Sequence, residues 1–255
     1  MTSSGACLVV MGPFRSGTSL TSQVLSALGV DFGPHEAFQL EPDRYNPGGY
    51  FQRRDVVEAN THLIEGASDS IAIPSGPEVI LDAASADWRP GVDLDWTRNS
   101  PRFGLKDPRF CATLLTWLRR GALPAECLKI VRVVRDPEAI ARSSVAHREV
   151  GSFCDYDLGI AESMARTYDA RAAWHVSTLG IPAFEISYKE LLSEPQRVIE
   201  HLALFVGESD QERLRRARQS VGKRRALMRH YAHKLSNPNL AFATARKTLK
   251  AWLRA

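Results

Sequence analysis

The sequence predicts one α/β domain with a central parallel sheet flanked by helices. Two apolar runs, residues 7–11 and 128–134, are each followed by a turn and then by an amphipathic pattern at helical spacing. This alternation predicts parallel strands, because a crossover helix returns the chain to the same end of the sheet. A length of 255 residues suits one sizeable core. Ligands of such sheets bind at the carboxyl ends of the strands.

The first predicted strand leads into a glycine loop, Gly-Pro-Phe-Arg-Ser-Gly-Thr-Ser at residues 12–19. After the loop, apolar residues recur at helical spacing until Gly29 ends the pattern. A loop of this kind turns several backbone N–H groups toward one point at a helix N-terminus, where the peptide dipoles favour a phosphate. The loop is therefore predicted to bind an anion.

The loop differs from that of nucleoside-triphosphate enzymes, whose pattern is GxxxxGK[ST]. Gly12 and Gly17 keep the spacing, but Thr18 stands where the lysine would reach the β and γ phosphates, and the cation of the loop is Arg15. These residues disfavour a P-loop kinase or another nucleoside-triphosphate-binding protein, which stays the alternative function.

The second predicted strand, residues 128–134, runs into Arg135-Asp136-Pro137. Asp136 is placed to cap the following helix, and Pro137 suits its first turn. Arg135 and Ser143, eight residues apart, together offer a planar cation and a hydroxyl donor, which suits a phosphate.

Three further segments accompany these two. Residues 46–51 read Asn-Pro-Gly-Gly-Tyr-Phe, and residues 104–109 read Gly-Leu-Lys-Asp-Pro-Arg. Residues 187–192 read Ser-Tyr-Lys-Glu-Leu-Leu, and an apolar helical series follows them and ends at Gly207.

Taken in chain order, these segments resemble those of the PAPS-dependent sulfotransferases, in particular the bacterial ones, over about residues 7–207. The resemblance implies a P-loop nucleotide-kinase-like sulfotransferase fold. It also implies in-line transfer of a sulfuryl group from 3′-phosphoadenosine 5′-phosphosulfate (PAPS) to a hydroxyl of a carbohydrate, glycolipid or other small-molecule acceptor, leaving 3′-phosphoadenosine 5′-phosphate (PAP). Two positions depart from the family pattern: Pro13 is displaced by one residue from its usual place before the loop cation, and Gln52 stands where a Glu often follows.

The resemblance also implies roles for individual residues. Arg15 and Lys106 would neutralise the sulfuryl group, Arg135 and Ser143 would hold the 3′-phosphate, and Tyr188 would lie near the adenine. The 5′-phosphate would bind to Ser16, Gly17, Thr18 and Ser19.

Two neighbouring residues are candidates for the general base that takes the proton of the acceptor hydroxyl. Glu36 lies 21 residues past Arg15, which matches the place of the basic Glu in protein-tyrosine and heparan-type sulfotransferases. His35 is the competitor, because its ordinary pKa suits the task. The spacing favours Glu36, and the remaining alternative is that both are exposed loop residues.

Residues 66–101 are rich in Pro, Gly, Asp and Trp and show little periodicity. Long irregular segments inside compact domains are often functional, so this segment is predicted to be a lid on the acceptor side or a packed surface insertion. Residues 157–179 predict a long helix. One face of that helix is predicted to join the core through Ile160, Met164, Tyr168 and Ala172.

The C-terminal segment, residues 209–255, is predicted to be basic and helical, with 13 Lys or Arg and two acidic residues. It suits peripheral contact with an anionic membrane or an acidic acceptor, although a solvated helical face is the simpler interpretation. The resemblance implies that Lys223, Arg224 and Arg225 reach the 3′-phosphate. A non-catalytic basic protein that binds polyanions is a third functional class.

Other features bear on location and cofactors. No apolar run approaches the roughly 20 residues that span a bilayer, and the first residues lack a basic n-region, so a cytoplasmic protein is expected. The four cysteines are widely spaced in apolar segments and predict buried free thiols. The histidines form no pair at ligand spacing, so no metal site is expected. No nucleic-acid partner is expected.

Overall fold

The computed structural model describes residues 6–43, 46–68 and 70–222. Four parallel strands form one sheet in the order β2-β1-β3-β4. The strands are β1 (Ala6–Met11), β2 (Arg102–Lys106), β3 (Leu128–Val134) and β4 (Ala183–Ser187). Helices flank this sheet, which confirms the predicted α/β domain. In register, Val10 of β1 pairs with Lys106 on one side and Val131 on the other, so all four strands end at the same edge.

Nine helices with defined bounds accompany the strands in the described part of the chain. They are α1 (Thr18–Ala27), α2 (Arg54–Ser68), α3 (Pro77–Ala83), α4 (Phe110–Arg119), α5 (Pro137–Val145), α6 (Arg148–Phe153), α7 (Leu158–Thr178), α8 (Tyr188–Ser193) and α9 (Pro195–Val206). Residues 211–222 are also helical. Three 3-10 turns lie at His35–Ala37, Asp95–Asn99 and Ala125–Cys127.

The core has two layers, one on each face of the sheet. Side chains alternate along β1, so Val9 and Met11 join one layer while Leu8 and Val10 join the other. The first layer packs against α2, α3, α4 and α7, and the second against α1, α8, α9 and residues 211–222. Both faces are buried because a parallel sheet carries apolar side chains on both.

The local signals predicted several elements correctly. Asp136 caps α5 by accepting a hydrogen bond from the Ala139 N–H, and Gly207 ends α9 in the left-handed region at φ 73°. Met164 and Tyr168 of α7 are buried, as predicted. Ile160 was wrongly assigned to the core: it lies in the first turn of α7 and is 37% exposed.

Residues 66–101 contain the end of α2, then α3 and a 3-10 turn. Ile80 is fully buried, and the Trp88 ring packs edge-on against Trp117 at 5.6 Å between centroids, so part of the segment belongs to the core layer. Its action as a lid stays a prediction. Lys223, Arg224 and Arg225 lie outside the described residues, and so does the rest of the basic C-terminal segment.

All four cysteines are free thiols, and three of them are buried. Cys7, Cys111 and Cys154 are buried free thiols, as predicted, and Cys127 is half-buried. Across the residues that the structure describes, no helix is both long and apolar enough to cross a bilayer.

Candidate active site

A cavity opens at the edge where the four strands end, and the end of each strand or the segment after it contributes to the cavity wall. We call it the cationic cavity. The wall formed by these segments contains Arg15, Gly17, Thr18 and Ser19 after β1, Lys106 and Arg109 at the end of β2, Arg135 after β3 and Tyr188 after β4. The parallel register explains why residues so distant in sequence meet here.

The loop after β1 adopts the backbone conformation expected of an anion-binding loop. Gly17 is the N-cap of α1 and lies in the left-handed region at φ 111°, and no side chain caps the helix. The first N–H groups of a helix have no partner inside the helix, so those of α1 suit an anion. Ser16 is buried, and its side chain does not line the cavity, so a phosphate contact of Ser16 would use its backbone.

Gly17 is also in close contact with the next wall of the cavity. A Cβ atom at this position would lie 2.2 Å from Cδ2 of the Tyr188 ring. We therefore expect Gly17→Ala to displace the ring and to strain the loop by about 1–3 kcal/mol, which lowers affinity for an anionic ligand at least tenfold. Calorimetry with PAP measures the effect. Gly76→Ala is the matched control, because a Cβ there meets no atom within 4 Å; equal affinities in the two variants would contradict the expectation.

The structure brings four predicted site residues together: the cations Arg15 and Arg135, and the side chains of Ser143 and Tyr188. The Arg15 Nε donates to the Ser143 Oγ at 3.3 Å, and an Arg135 Nη donates to the Arg15 carbonyl oxygen at 2.7 Å. The Arg135 guanidinium also lies 4.7 Å from the centre of the Tyr188 ring, in a cation–π contact. Ser143 thus contacts the loop cation, although it does not itself line the cavity.

Lys106 is a buried cation in the cavity wall, with 3% of its surface exposed. Its Nζ donates to the Gln52 Oε1 at 2.8 Å. Burial lowers the pKa of Lys106 to about 7; the charges of Arg15 and Arg109 lower it further, while those of Asp107 and Glu149 oppose the shift. The ammonium therefore titrates close to neutral pH.

A buried polar network supports the turn after β2. Asp107 accepts hydrogen bonds from the Asn60 Nδ2 at 3.2 Å and from the backbone N–H and side chain of Arg109. The Asn60 Oδ1 accepts from the Thr113 hydroxyl at 2.6 Å and from the Trp117 Nε1 at 2.8 Å. Because α2, α4 and the turn share this network, it holds the turn that follows Lys106.

The segment before α2 and helix α6 also contribute to the wall of the cationic cavity. The His147 Nδ1 accepts from the Val150 N–H at 3.3 Å, so the proton of the neutral ring sits on Nε2, 3.3 Å from the Tyr50 hydroxyl. Tyr50 lies 3.1 Å from either carboxylate oxygen of Asp43. Glu149 lines the cavity beside His147. No motif of the sequence points to His147 and Glu149; the local signal for them is His147-Arg148-Glu149, which begins twelve residues after Arg135.

The two predicted base residues lie elsewhere. Glu36 and His35 form the exposed 3-10 turn His35–Ala37, and neither lines a described cavity. The His35 Nε2 lies 3.8 Å from the Glu41 carboxylate. Their role as the base stays a prediction.

A second cavity of about 290 Å³ adjoins the first, and we call it the adjoining cavity. Four residues line both cavities: Gly17, Ser19, Asn46 and Tyr188. The adjoining cavity is also lined by Gln23 and Ser220, and none of its described lining residues carries a charge. The two cavities are therefore neighbours, and the charged one of the two is the cationic cavity.

The profile of the sulfotransferase family matches residues 8–212. The sulfotransferase domain of the Synechococcus PCC 7002 olefin synthase superposes with a TM-score of 0.50 at 18% identity, covering 82% of this chain and 75% of that domain. The sulfotransferase domain of the curacin biosynthetic pathway gives 0.52 at 18% identity, with 82% and 76% covered. None of the curated proteins matches the sequence.

Proposed function

The chain belongs to the sulfotransferase family and is a sulfotransferase enzyme, and on this premise we propose that it transfers a sulfuryl group from PAPS to a hydroxyl of a carbohydrate, a glycolipid or another small molecule. The observation that carries the proposal is the convergence of Arg15, Lys106 and Arg135 on one cavity next to the uncapped N-terminus of α1.

The donor set fits PAPS, which supplies the sulfuryl group and carries two phosphates. Three cations and a helix N-terminus match the negative charge of such a ligand. The adjoining cavity is less charged and is bounded by Tyr188, so it suits the nucleoside half of the molecule. Gly17 and Ser19 line both cavities and would hold the 5′-phosphate between the two halves.

The residues of the chain would act mainly by holding and neutralising charge. Lys106 and Arg15 would stabilise the charge that develops on the sulfuryl oxygens and on the bridging oxygen as the bond to phosphate breaks. Gln52 orients the Lys106 Nζ through their hydrogen bond. Arg135 rests on the Tyr188 ring and would present its guanidinium to the 3′-phosphate.

Binding of PAP and ATP separates this proposal from the kinase alternative. We expect the protein to bind PAP and to bind ATP much more weakly, because Thr18 follows Gly17 where a kinase loop has the lysine that contacts the β and γ phosphates. Calorimetry with each nucleotide, with and without magnesium, makes the comparison. Tight magnesium-dependent binding of ATP would support the kinase alternative instead.

Arg135→Ala tests the 3′-phosphate contact. The substitution removes a charge-assisted contact of about 2 kcal/mol, so the affinity for PAP should fall at least tenfold. Arg166→Ala is the control, because Arg166 is exposed on α7 and pairs with Glu162 away from both cavities. If Arg135→Ala is folded and binds PAP as the wild type does, the assignment is wrong.

A further inference from the structure

The wall of the cationic cavity contains one acidic side chain among its described lining residues, and that residue is Glu149. It lies in the first turn of α6 between His147 and Val150, each 6% exposed, so its backbone is anchored on both sides. Its charge raises the pKa of Lys106, which lines the same cavity. Glu149 therefore faces the place where a sulfuryl group would be neutralised.

The neighbouring polar groups are poor proton acceptors. Both ring nitrogens of His147 are engaged, Nδ1 by the Val150 N–H and Nε2 by the Tyr50 hydroxyl. Burial raises the pKa of Tyr50 to about 12, so the phenol keeps its proton at neutral pH. Gln52 is an amide, and its oxygen already accepts from Lys106. A carboxylate at Glu149 is the group on this wall that can take a proton without breaking the network.

We propose that Glu149 is the catalytic base for the acceptor hydroxyl, an inference that rests on the proposed function. The hydroxyl oxygen forms a bond to sulfur while the bond from sulfur to the 5′-phosphate oxygen breaks and leaves its electron pair on that oxygen. The hydroxyl proton passes to the Glu149 carboxylate. Lys106, which lines the same cavity, neutralises the charge on the sulfuryl group.

Glu149→Gln removes the base and keeps the shape of the side chain. With water as the acceptor, release of sulfate from PAPS should fall about a hundredfold or more. The affinity for PAP should stay equal or rise, because a negative charge near the phosphates is removed. The loss should fall on kcat while the KM for PAPS stays nearly unchanged, a split that a merely structural role would not produce. Glu138→Gln, exposed on α5, is the matched control and should leave sulfate release unchanged.

A second acceptor pair tests the chemistry. Methyl β-glucoside has an alcohol that needs a base, whereas 4-nitrophenol ionises unaided at mildly alkaline pH. Glu149→Gln should lose turnover with the first and keep it with the second. The pKa of Lys106, measured by NMR of labelled lysines, provides a test that does not depend on turnover. This pKa should fall in Glu149→Gln, because the negative charge that raises it is lost.

Three results would overturn the inference in distinguishable ways. Normal sulfate release in Glu149→Gln, with PAP affinity retained, removes the role from Glu149. Loss of sulfate release in Glu36→Gln or His35→Ala, but not in Glu149→Gln, assigns the role of the base to the 3-10 turn His35–Ala37 instead. Failure of the wild-type protein to bind PAP overturns the proposed function itself.

Discussion

Lys106→Met is expected to lower kcat for sulfuryl transfer by about 10²–10³, because it removes a cation aimed at the charge that develops in the transition state. The same substitution should keep or raise the stability of the fold. Lys106 is buried, and its partner Gln52 is neutral, so the folded protein carries the cost of an ammonium with little compensation. Turnover and thermal unfolding, measured on the same preparation, check both halves.

The pH dependence of kcat/KM shows whether the charge of Lys106 is responsible for its effect on sulfuryl transfer. Because the pKa of Lys106 is lowered to about 7, kcat/KM of the wild type should decline as the pH rises through that value, and the decline should be missing in Lys106→Met. Between about pH 7 and 10.5 the unfolded lysine binds a proton that the folded one does not, so wild-type stability rises with pH in that window. The gain from Met is therefore largest below pH 7. Exposed Lys189→Met is the control; an equal fall in kcat there would contradict the assignment.

Asn60→Leu is expected to destabilise the fold by about 3–5 kcal/mol, the largest effect on stability in the described site. The variant leaves the Asp107 carboxylate without one of its donors and the Trp117 N–H without its acceptor, both in a buried region, whereas the Thr113 hydroxyl keeps the Arg109 carbonyl oxygen as an acceptor. Each orphaned buried group costs about 1–3 kcal/mol, and a charged one more. Denaturant unfolding gives the free energy of unfolding directly.

The matched control is His62→Leu, an exposed position on the same helix α2, where we expect a change within about 0.5 kcal/mol. A loss below about 1 kcal/mol in Asn60→Leu would show that the network adds little. The folded fraction of this variant should also have a lower kcat, because the chain segment that follows Lys106 loses its support.

Much of the fold and part of the site could be predicted from local sequence signals. The apolar runs predicted β1 and β3, Asp136 and Pro137 predicted the start of α5, and the glycine loop predicted the turn that leads into α1. These signals are short-range: a cap, a left-handed glycine or an apolar period depends on a few neighbouring residues. The order of the segments predicted the family, which the matched profile then confirmed.

Packing across the fold decided the rest. Tyr50 and His147 are 97 residues apart in the sequence, and Lys106 and Gln52 are 54 residues apart, so no local pattern predicts either contact. The spacing rule pointed to Glu36, whereas the structure places Glu149 on the cavity wall. Thus the sequence by itself determined β1, β3, the glycine loop and the family, because these follow from nearby residues and from the order of short segments. The tertiary structure alone decided which acid faces Lys106 and how far burial lowers its pKa, because both depend on side chains that only folding brings together.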